Sequence, residues 1–431
     1  MDRHNHVRLI KIGVLLGLFC GLAAGPTLAA TTALRVGHLI DPATAAIAAN
    51  QVLLIKDGKI AEVGPSVKIP DGARVIDLTK AWVMPGLMDA HTHITMGNLD
   101  LNAGIEAVYL KQSSAARVLL GLRNAQDVLQ AGFTTIRDVG NEANFASVDL
   151  RDAINRGLFD GPTILTSGKI IAPFGGQSVR LSPEQGRFWL YEYIDADTPD
   201  EVRKAVRQVI YYGADVIKLV ADNSPFHYSL AEIQAAVSEG HAAGRAVSVH
   251  IFAGGEPART CIMGGVDSIE HGMLLEDELL ALMKEKGTAL VSTDFPEVYL
   301  AAIDPGGALF GSAKDFAAAT IDRLKRAHRA GVMLVFGTDA VVHLAGKIRP
   351  GMMLDYLGSW QAAGISGADT LKAMTTNAAK LLRIEKTRGS VSAGFAADII
   401  ATSLNPLDDI QALRGVNFVM KDGKIVRNDN R

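Results

Sequence analysis

The sequence predicts an α/β protein: a (β/α)8 TIM barrel with a small β-sandwich domain formed by the N- and C-terminal segments. Two observations predict it. Between Val83 and about residue 383, apolar β-rich runs alternate with helix-like segments, and eight such runs in roughly 300 residues suit a (β/α)8 barrel. Outside that region IKDGKIAEVG (55–64) and MKDGKIVRND (420–429) are near copies. Asp-Gly between short apolar runs reads as a β-hairpin turn, so both chain ends carry the same element. A doubly wound sheet is the competing architecture, but no glycine-rich phosphate turn follows the first strand.

Composition narrows the class. Hydrophobic residues make up 48% and charged residues 21% of the 431, which suits a packed core rather than disorder. A formal net charge of −3 leaves no basic stripe to release counterions, so nucleic acid is excluded as a partner.

Taken in order, residues 1–29 read as a signal peptide. Arg3, Arg8 and Lys11 precede an apolar run from Ile12 to Ala24, and Thr27-Leu28-Ala29 offers small residues at the cleavage positions. The run is short for a membrane span of ~20 residues, and Gly17 and Phe19 make poor lipobox neighbours for Cys20. Cleavage after Ala29, export to a periplasm or beyond, and no remaining membrane anchor are therefore expected. Only Cys261 then remains, so no internal disulfide staples the fold. Residues 30–82 and 385–431 are expected to build the β-sandwich around a barrel spanning 83–384.

The barrel strands are expected at the run containing Val83 and at 133–138, 163–166, 215–220, 246–251, 266–270, 288–292 and 332–337. Helical patterns at 114–131, 198–212, 230–243, 275–286 and 314–330 alternate with them. Chemistry in such a barrel sits at the C-terminal strand ends. Those ends carry His91 and His93, Lys218, His250, His271 and Asp339. His91 and His93 lie at i and i+2, on one face of a strand. Singly, each residue also reads as a solvated lysine or a hydrogen-bonded core histidine. Together, at successive strand ends, they form a donor set of the kind that holds divalent transition metals.

PGLMDAHTHI (85–94), GADVIKLV (213–220), VSVHIF (247–252), GVDSIEHG (265–272), GTDA (337–340) and TNAAKLLRI…GSVSAGFAADIIA (376–401) resemble the amidohydrolase superfamily over nearly the whole mature chain. Within it the chain is similar to the prolidase-like branch of Xaa-Pro dipeptidases, metal-dependent carboxypeptidases and ochratoxinase-type amidases, and less so to imidazolonepropionase. The resemblance implies two divalent ions, with zinc expected and Mn2+, Co2+ or Fe2+ also compatible. It assigns His91, His93 and Asp339 to the more buried ion and His250 and His271 to the other. Lys218 would bridge both as N6-carboxylysine, an anion that offsets two cations about 3.5–4 Å apart. A hydroxide shared by the ions would attack the amide, and Asp339 would move its proton to the leaving amine. The expected substrate is a small-molecule amide or dipeptide with an α-amino acid leaving group. Hydrolysis of a cyclic amide or lactone is the alternative. An inactive binding relative is disfavoured because all six positions are intact.

Other residues near the strand ends stay open between roles. Tyr228 suits either polarisation of the scissile carbonyl or packing on the barrel rim. His343 suits either the pocket or the surface. The family pattern often has Gly-Gly-His after strand three, whereas this chain has Gly175-Gly176-Gln177, and Phe252 replaces a smaller residue or histidine after strand five. Gln177, Phe252, Arg180 and His227 are therefore candidates for substrate contact, with Arg180 suited to a carboxylate. Phe188, Trp189, Tyr191 and Tyr193 crowd residues 182–197. They suit a cover over the pocket or a contact in a homo-oligomer, which is expected here.

Overall fold

The computed structural model describes residues 31–97, 111–140, 143–178, 180, 182–222, 225–252, 254–308, 310–341, 344 and 346–429. The leader expected at 1–29 and the candidate His343 lie outside them. The first four strands, β1 (Thr32–Asp41), β2 (Ala46–Lys56), β3 (Lys59–Gly64) and β4 (Arg74–Pro85), belong to the terminal domain. Barrel strands follow: β5 (Leu87–Thr92), β6 (Phe133–Asp138) and β7 (Thr163–Thr166). Two short strands, β8 (Ile170–Ala172) and β9 (Tyr193–Asp195), flank the long loop after β7. The barrel resumes with β10 (Val216–Val220), β11 (Ala246–Ile251), β12 (Ser268–His271), β13 (Ala289–Val291) and β14 (Leu334–Val335). The chain returns to the terminal domain with β15 (Ile399–Thr402), β16 (Val416–Lys421) and β17 (Lys424–Asn428).

Eight of these strands close the (β/α)8 barrel. Parallel ladders join β5 to β6 and β6 to β7, and run from β10 through β14. Backbone bonds complete the ring: Asp215 N donates to Thr166 O (2.7 Å), Ala90 N to Phe336 O (2.9 Å) and Asp339 N to His91 O (2.8 Å). The last of these ties the first and last strands together at the residues expected to carry chemistry. Helices Ser114–Gln130, Pro199–Tyr211, Leu230–Ala242, Asp277–Lys286 and Ala313–Ala330 pack outside, close to their predicted bounds. Their caps explain the starts: the Ser113, Thr198 and Ser312 side chains accept backbone N–H groups of the first turn.

One boundary differs from expectation. The run Ala81–Met84 does not open the barrel; it ends β4, which pairs with β15 from Trp82 to Pro85. The chain crosses between domains at Gly86, where a Cβ would stand 2.1 Å from the Thr134 hydroxyl oxygen. Only glycine lets β6 lie this close, so β5 starts afresh at Leu87.

The terminal domain is one seven-stranded sheet, ordered β17-β16-β15-β4-β1-β2-β3. β4 pairs with both β1 and β15, so the halves contributed by the two chain ends share one continuous ladder. The sheet closes over Leu34, Val36, Leu53, Ile60, Leu78, Val83, Ile399, Phe418 and Met420. Its end hairpins meet. Asp57-Gly58 and Asp422-Gly423 all have positive φ, as two-residue hairpin turns require, and a Cβ on Gly58 would lie 3.1 Å from Asp422 O. The near-identical sequences make near-identical turns, packed on one another.

Candidate metal centre

Alternation along β5 aims Asp89 and His91 into the barrel, and His93 follows at the strand end. The His91 and His93 rings lie 5.5 Å apart, His91 and His271 4.8 Å, and His250 and His271 4.4 Å. His91, His271 and Asp339 each present a ligand atom within 4.8 Å of the others. Two of these residues are backbone-strained: His271 has φ 67° and Asp339 φ 52°, both in the left-handed region. Non-glycine residues adopt it at a cost of about 1–3 kcal/mol, which the surrounding fold must sustain. At His271 the consequence is visible. Glu270 points into the barrel, and His271 still reaches the site instead of alternating away.

Hydrogen bonds orient the rings. His93 Nδ1 lies 3.0 Å from Gly140 O; a carbonyl only accepts, so Nδ1 carries the proton. His91 Nδ1 lies 2.7 Å from Glu270 Oε2. Burial opposes ionisation of Glu270, but Arg137 and His91 overcome it and hold the carboxyl well below its usual range, so Nδ1 of His91 also donates. Burial first, and the Lys218 charge next, lower His91 to about 4. Its ring is thus neutral at physiological pH, with a lone pair on Nε2. Those two Nε2 atoms face Asp339 Oδ1 at 3.8 Å from His91 and 3.3 Å from His93. Burial favours a neutral Asp339, but His91, His93 and Lys218 hold its pKa below the usual value. Two ring nitrogens and a carboxylate thus converge, a donor set that suits a divalent cation.

Lys218 strengthens the fit. It is 3% exposed, and its Nζ has no hydrogen-bond partner among the described residues. Burial, only partly opposed by Glu270, lowers it to about 8. On the other side His250 Nε2 lies 3.1 Å from Gln177 Nε2 and 3.8 Å from Asp222 Oδ1. His271 Nδ1 contacts Thr293 Oγ1 at 2.8 Å, and burial lowers both histidines, His250 to about 3 and His271 far below its usual value. The residues present therefore fit a divalent metal centre.

A cavity of about 270 Å³ opens onto these groups, lined also by Gln177, Ser178, Glu192 and Tyr193. A larger groove of about 560 Å³ lies by Thr288 and Val332, at the N-terminal ends of β13 and β14. It holds none of the converging donors, so volume does not mark the site.

The structure separates the remaining candidates. Gln177 lines the cavity and caps His250. Its loop is shaped by Gly176 (φ 55°), where a Cβ would come within 2.5 Å of the Tyr193 ring. Tyr228 is elsewhere: its hydroxyl donates to Ala196 O at 2.9 Å, and with exposed His227 it borders a separate surface cleft. The loop Pro225–Ser229 carries them there because Tyr228 is drawn into the core between barrel and helix. Phe252 turns its ring onto Phe310 and Phe316, with centroids 5.7 and 5.8 Å away, and gives its backbone N–H to Asp222. Arg180 is exposed, two residues beyond cavity-lining Ser178.

Sequence reasoning passed over the groups beneath the histidines. Glu270 and Arg137 are both 0% exposed. Asp89 accepts from His91 N (2.9 Å), Thr338 N (3.2 Å) and Thr338 Oγ1 (2.7 Å), tying β5 to the Asp339 segment. Burial lifts its pKa to about 7 against those donors. The signal was present: charged residues inside otherwise apolar strands are rarely buried without a partner.

A (β/α)8 barrel with histidines and a carboxylate placed at its strand ends to suit a metal is the pattern of a class of hydrolases. This chain belongs to the amidohydrolase family, whose model matches residues 82–426. It is 30% identical over 418 residues to ochratoxinase of Aspergillus niger, covering 88% of this chain and 83% of that one. Its fold is similar to a Xaa-Pro dipeptidase solved with bound methionine in the active site (TM-score 0.80, 30% identity, 93% of this chain and 100% of that one). A prolidase complexed with N-methylphosphonate-L-proline is equally near (TM-score 0.79, 28% identity, 92% and 100%). These relatives place the chain in the prolidase-like branch, among hydrolases acting on amide bonds.

Proposed function

We propose that the protein is an exported binuclear metal-dependent amidohydrolase that cleaves a peptide-like amide and releases an α-amino acid. The observation that carries this reading is the convergence of His91 Nε2 and His93 Nε2 on Asp339 beside the buried Lys218 Nζ, which has no hydrogen-bond partner among the described residues. His91, His93 and Asp339 would hold one divalent ion and His250 and His271 the other, zinc being the best match to these donors. Such ions supply water activation and polarisation of the scissile carbonyl.

The chain's own residues supply the rest. A neutral Lys218 amine is within reach near neutral pH; adding CO2 and releasing one proton to solvent would make it a carbamate, an anion able to help hold the ions. Asp339, held ionised, takes a proton on its carboxylate and returns it to the leaving nitrogen. Gln177 lines the cavity beside Tyr193, whose hydroxyl reaches Gln177 Oε1 at 3.4 Å. Arg180 would meet the substrate carboxylate at the mouth. The names of the relatives, ochratoxinase and Xaa-Pro dipeptidase, support an amino acid leaving group.

A panel of dipeptides, N-acyl amino acids with bulky aromatic acyl groups, cyclic amides and lactones tests the reading. Release of a free amino acid supports it, and ring opening alone overturns it. Arg180→Ala should raise KM for free acids more than for their C-terminal amides. Residues 1–29 are proposed as a cleaved leader, which N-terminal sequencing of exported protein beginning at Ala30 would support. Exposed Phe174, Leu190 and Tyr191 support a homo-oligomer, read by sedimentation.

A further inference from the structure

Beneath the site lies a buried charge assembly that spans three barrel strands. Arg137 on β6 donates to both carboxylate oxygens of Glu270 on β12, at 2.7 and 2.8 Å. Its Nε donates to the Ala90 carbonyl on β5. Ser268 Oγ donates to Glu270 Oε1 at 2.6 Å, and His91 Nδ1 meets Oε2 at 2.7 Å. Neither Arg137 nor Glu270 is exposed at all. A fully buried ion pair is a poor source of stability, because desolvation of both charges offsets their attraction. A pair kept at 0% exposure under a ligand histidine calls for another role.

The geometry supplies one. A carboxylate that already accepts from Arg137 and Ser268 can only accept from the imidazole, which forces the His91 proton onto Nδ1. Nε2 is then bare and turned toward Asp339. The Ala90 carbonyl bond holds Arg137 against the backbone one residue before His91, so ring and carboxylate keep their register. We propose that Glu270, seated by Arg137, is a positioning residue that fixes His91 as its Nδ1–H tautomer and aims Nε2 at the metal site. The proposal deepens the metal reading and rests on it for its consequence, though not for the tautomer itself. Because Glu270 precedes His271 in sequence, one strand end both orients a ligand of one ion and supplies a ligand of the other.

Glu270→Gln keeps the shape but replaces an obligate acceptor with an amide. Its oxygen remains on Arg137, and its NH2 group donates to Nδ1, moving the ring proton to Nε2. An exchange of carboxylate for amide behind a histidine is known to produce the wrong tautomer in this way. Loss of such an outer partner typically lowers metal affinity about 10–100-fold.

The test has two readouts on the full chain. The first is 15N NMR of the histidine rings in chelator-treated, metal-free protein, with His91 assigned through His91→Asn. The second is Zn2+ titration by calorimetry. The proposal expects His91 as the Nδ1–H tautomer in the wild type, a shift toward Nε2–H in Glu270→Gln, and one Zn2+ site weakened about 10–100-fold while the other is retained. Where Glu270→Gln fails to fold around an uncompensated Arg137, Glu270→Gln with Arg137→Gln removes both charges and the anchored acceptor, so the Nδ1–H preference should be lost and the same zinc site weakened. An Nε2–H tautomer in the wild type, or unchanged zinc affinity in variants that fold, overturns the proposal. Failure of the wild type to bind zinc at all would overturn the metal reading, while the NMR arm would still decide the role of Glu270.

Discussion

The terminal sheet and the barrel mouth each bury a cluster of charges, and the two clusters are built to opposite rules. In the sheet, Asp398 accepts from Lys421 Nζ (3.2 Å) and Asp422 N (2.9 Å) and pairs with Arg388, which also bonds Asp422 at 2.9 Å. Every charge there meets its opposite, and the cluster pins β15 to β16 and to the loop before them. At the barrel mouth, ring nitrogens face a carboxylate, and Lys218 Nζ, though near the charges of Glu270, Asp339 and Asp222, makes no hydrogen bond to any described residue. Satisfied charge holds the fold together; unsatisfied charge is held by the fold for a ligand. Substitutions should therefore act on stability in the first cluster and on activity in the second.

The largest expected effect is at the mouth. Asp339→Asn should lower kcat about 10²–10⁴-fold, as removal of an acid–base group does, with a melting temperature near that of the wild type. Activity in the tens of per cent would move the proton shuttle to another residue. Asp398→Ala should show the reverse. Lys421 and Arg388 would keep only the more exposed Asp422 as partner, so the loss should be about 1–3 kcal/mol, read by denaturant unfolding, with kcat within about two-fold of wild type. A large kcat loss at unchanged stability would erase the contrast.

Acid should weaken the mouth before the sheet. In metal-free protein His91 titrates near 4 and His250 near 3, against an ordinary 6.5. Between 6.5 and those values the unfolded chain binds protons that the folded chain refuses, so stability falls as pH drops through this window. The loss should be on the order of a few kcal/mol and should persist with Zn2+ bound, because a ligated ring is also closed to protons until acid displaces the metal. A metal-free unfolding free energy flat from pH 6.5 to 4 would contradict it.

Lys218→Met sharpens the comparison most finely. Removing an unpartnered buried polar group should leave metal-free stability unchanged or raise it by about 1–3 kcal/mol, while abolishing activity. A clear stability loss would mean Lys218 is structurally engaged. The smallest effect is expected at Tyr228→Phe, which removes the bond to Ala196 O at a cost of about 1 kcal/mol and leaves kcat unchanged. A kcat loss beyond ten-fold would return Tyr228 to the catalytic machinery.

The same comparison explains what the sequence disclosed. Barrel periodicity and the terminal Asp-Gly hairpins are local patterns, and they were legible almost to the residue. So were His91, His93, Lys218, His250, His271 and Asp339, because each closes an apolar run and strand ends converge in a barrel. Arg137 and Glu270 were not read, since partners 133 residues apart leave no local trace beyond a charge inside a strand. The choice between the two readings of Tyr228, and the direction of Phe252, were not legible for the same reason: their backbone positions suit the mouth, but packing against Ala196 and against Phe310 and Phe316 turns the side chains away. The first strand was placed early because the apolar run through Met84 continues across Pro85-Gly86 in sequence but not in hydrogen bonding.

The most direct test of the account is the metal content of the purified protein, measured by mass spectrometry of the native chain and by elemental analysis, before and after chelation and zinc return. The account predicts close to two divalent ions per chain, loss of activity with their removal, recovery on return, and no such binding when His91 and His250 are both replaced by alanine. A fully active protein free of divalent metal would contradict it.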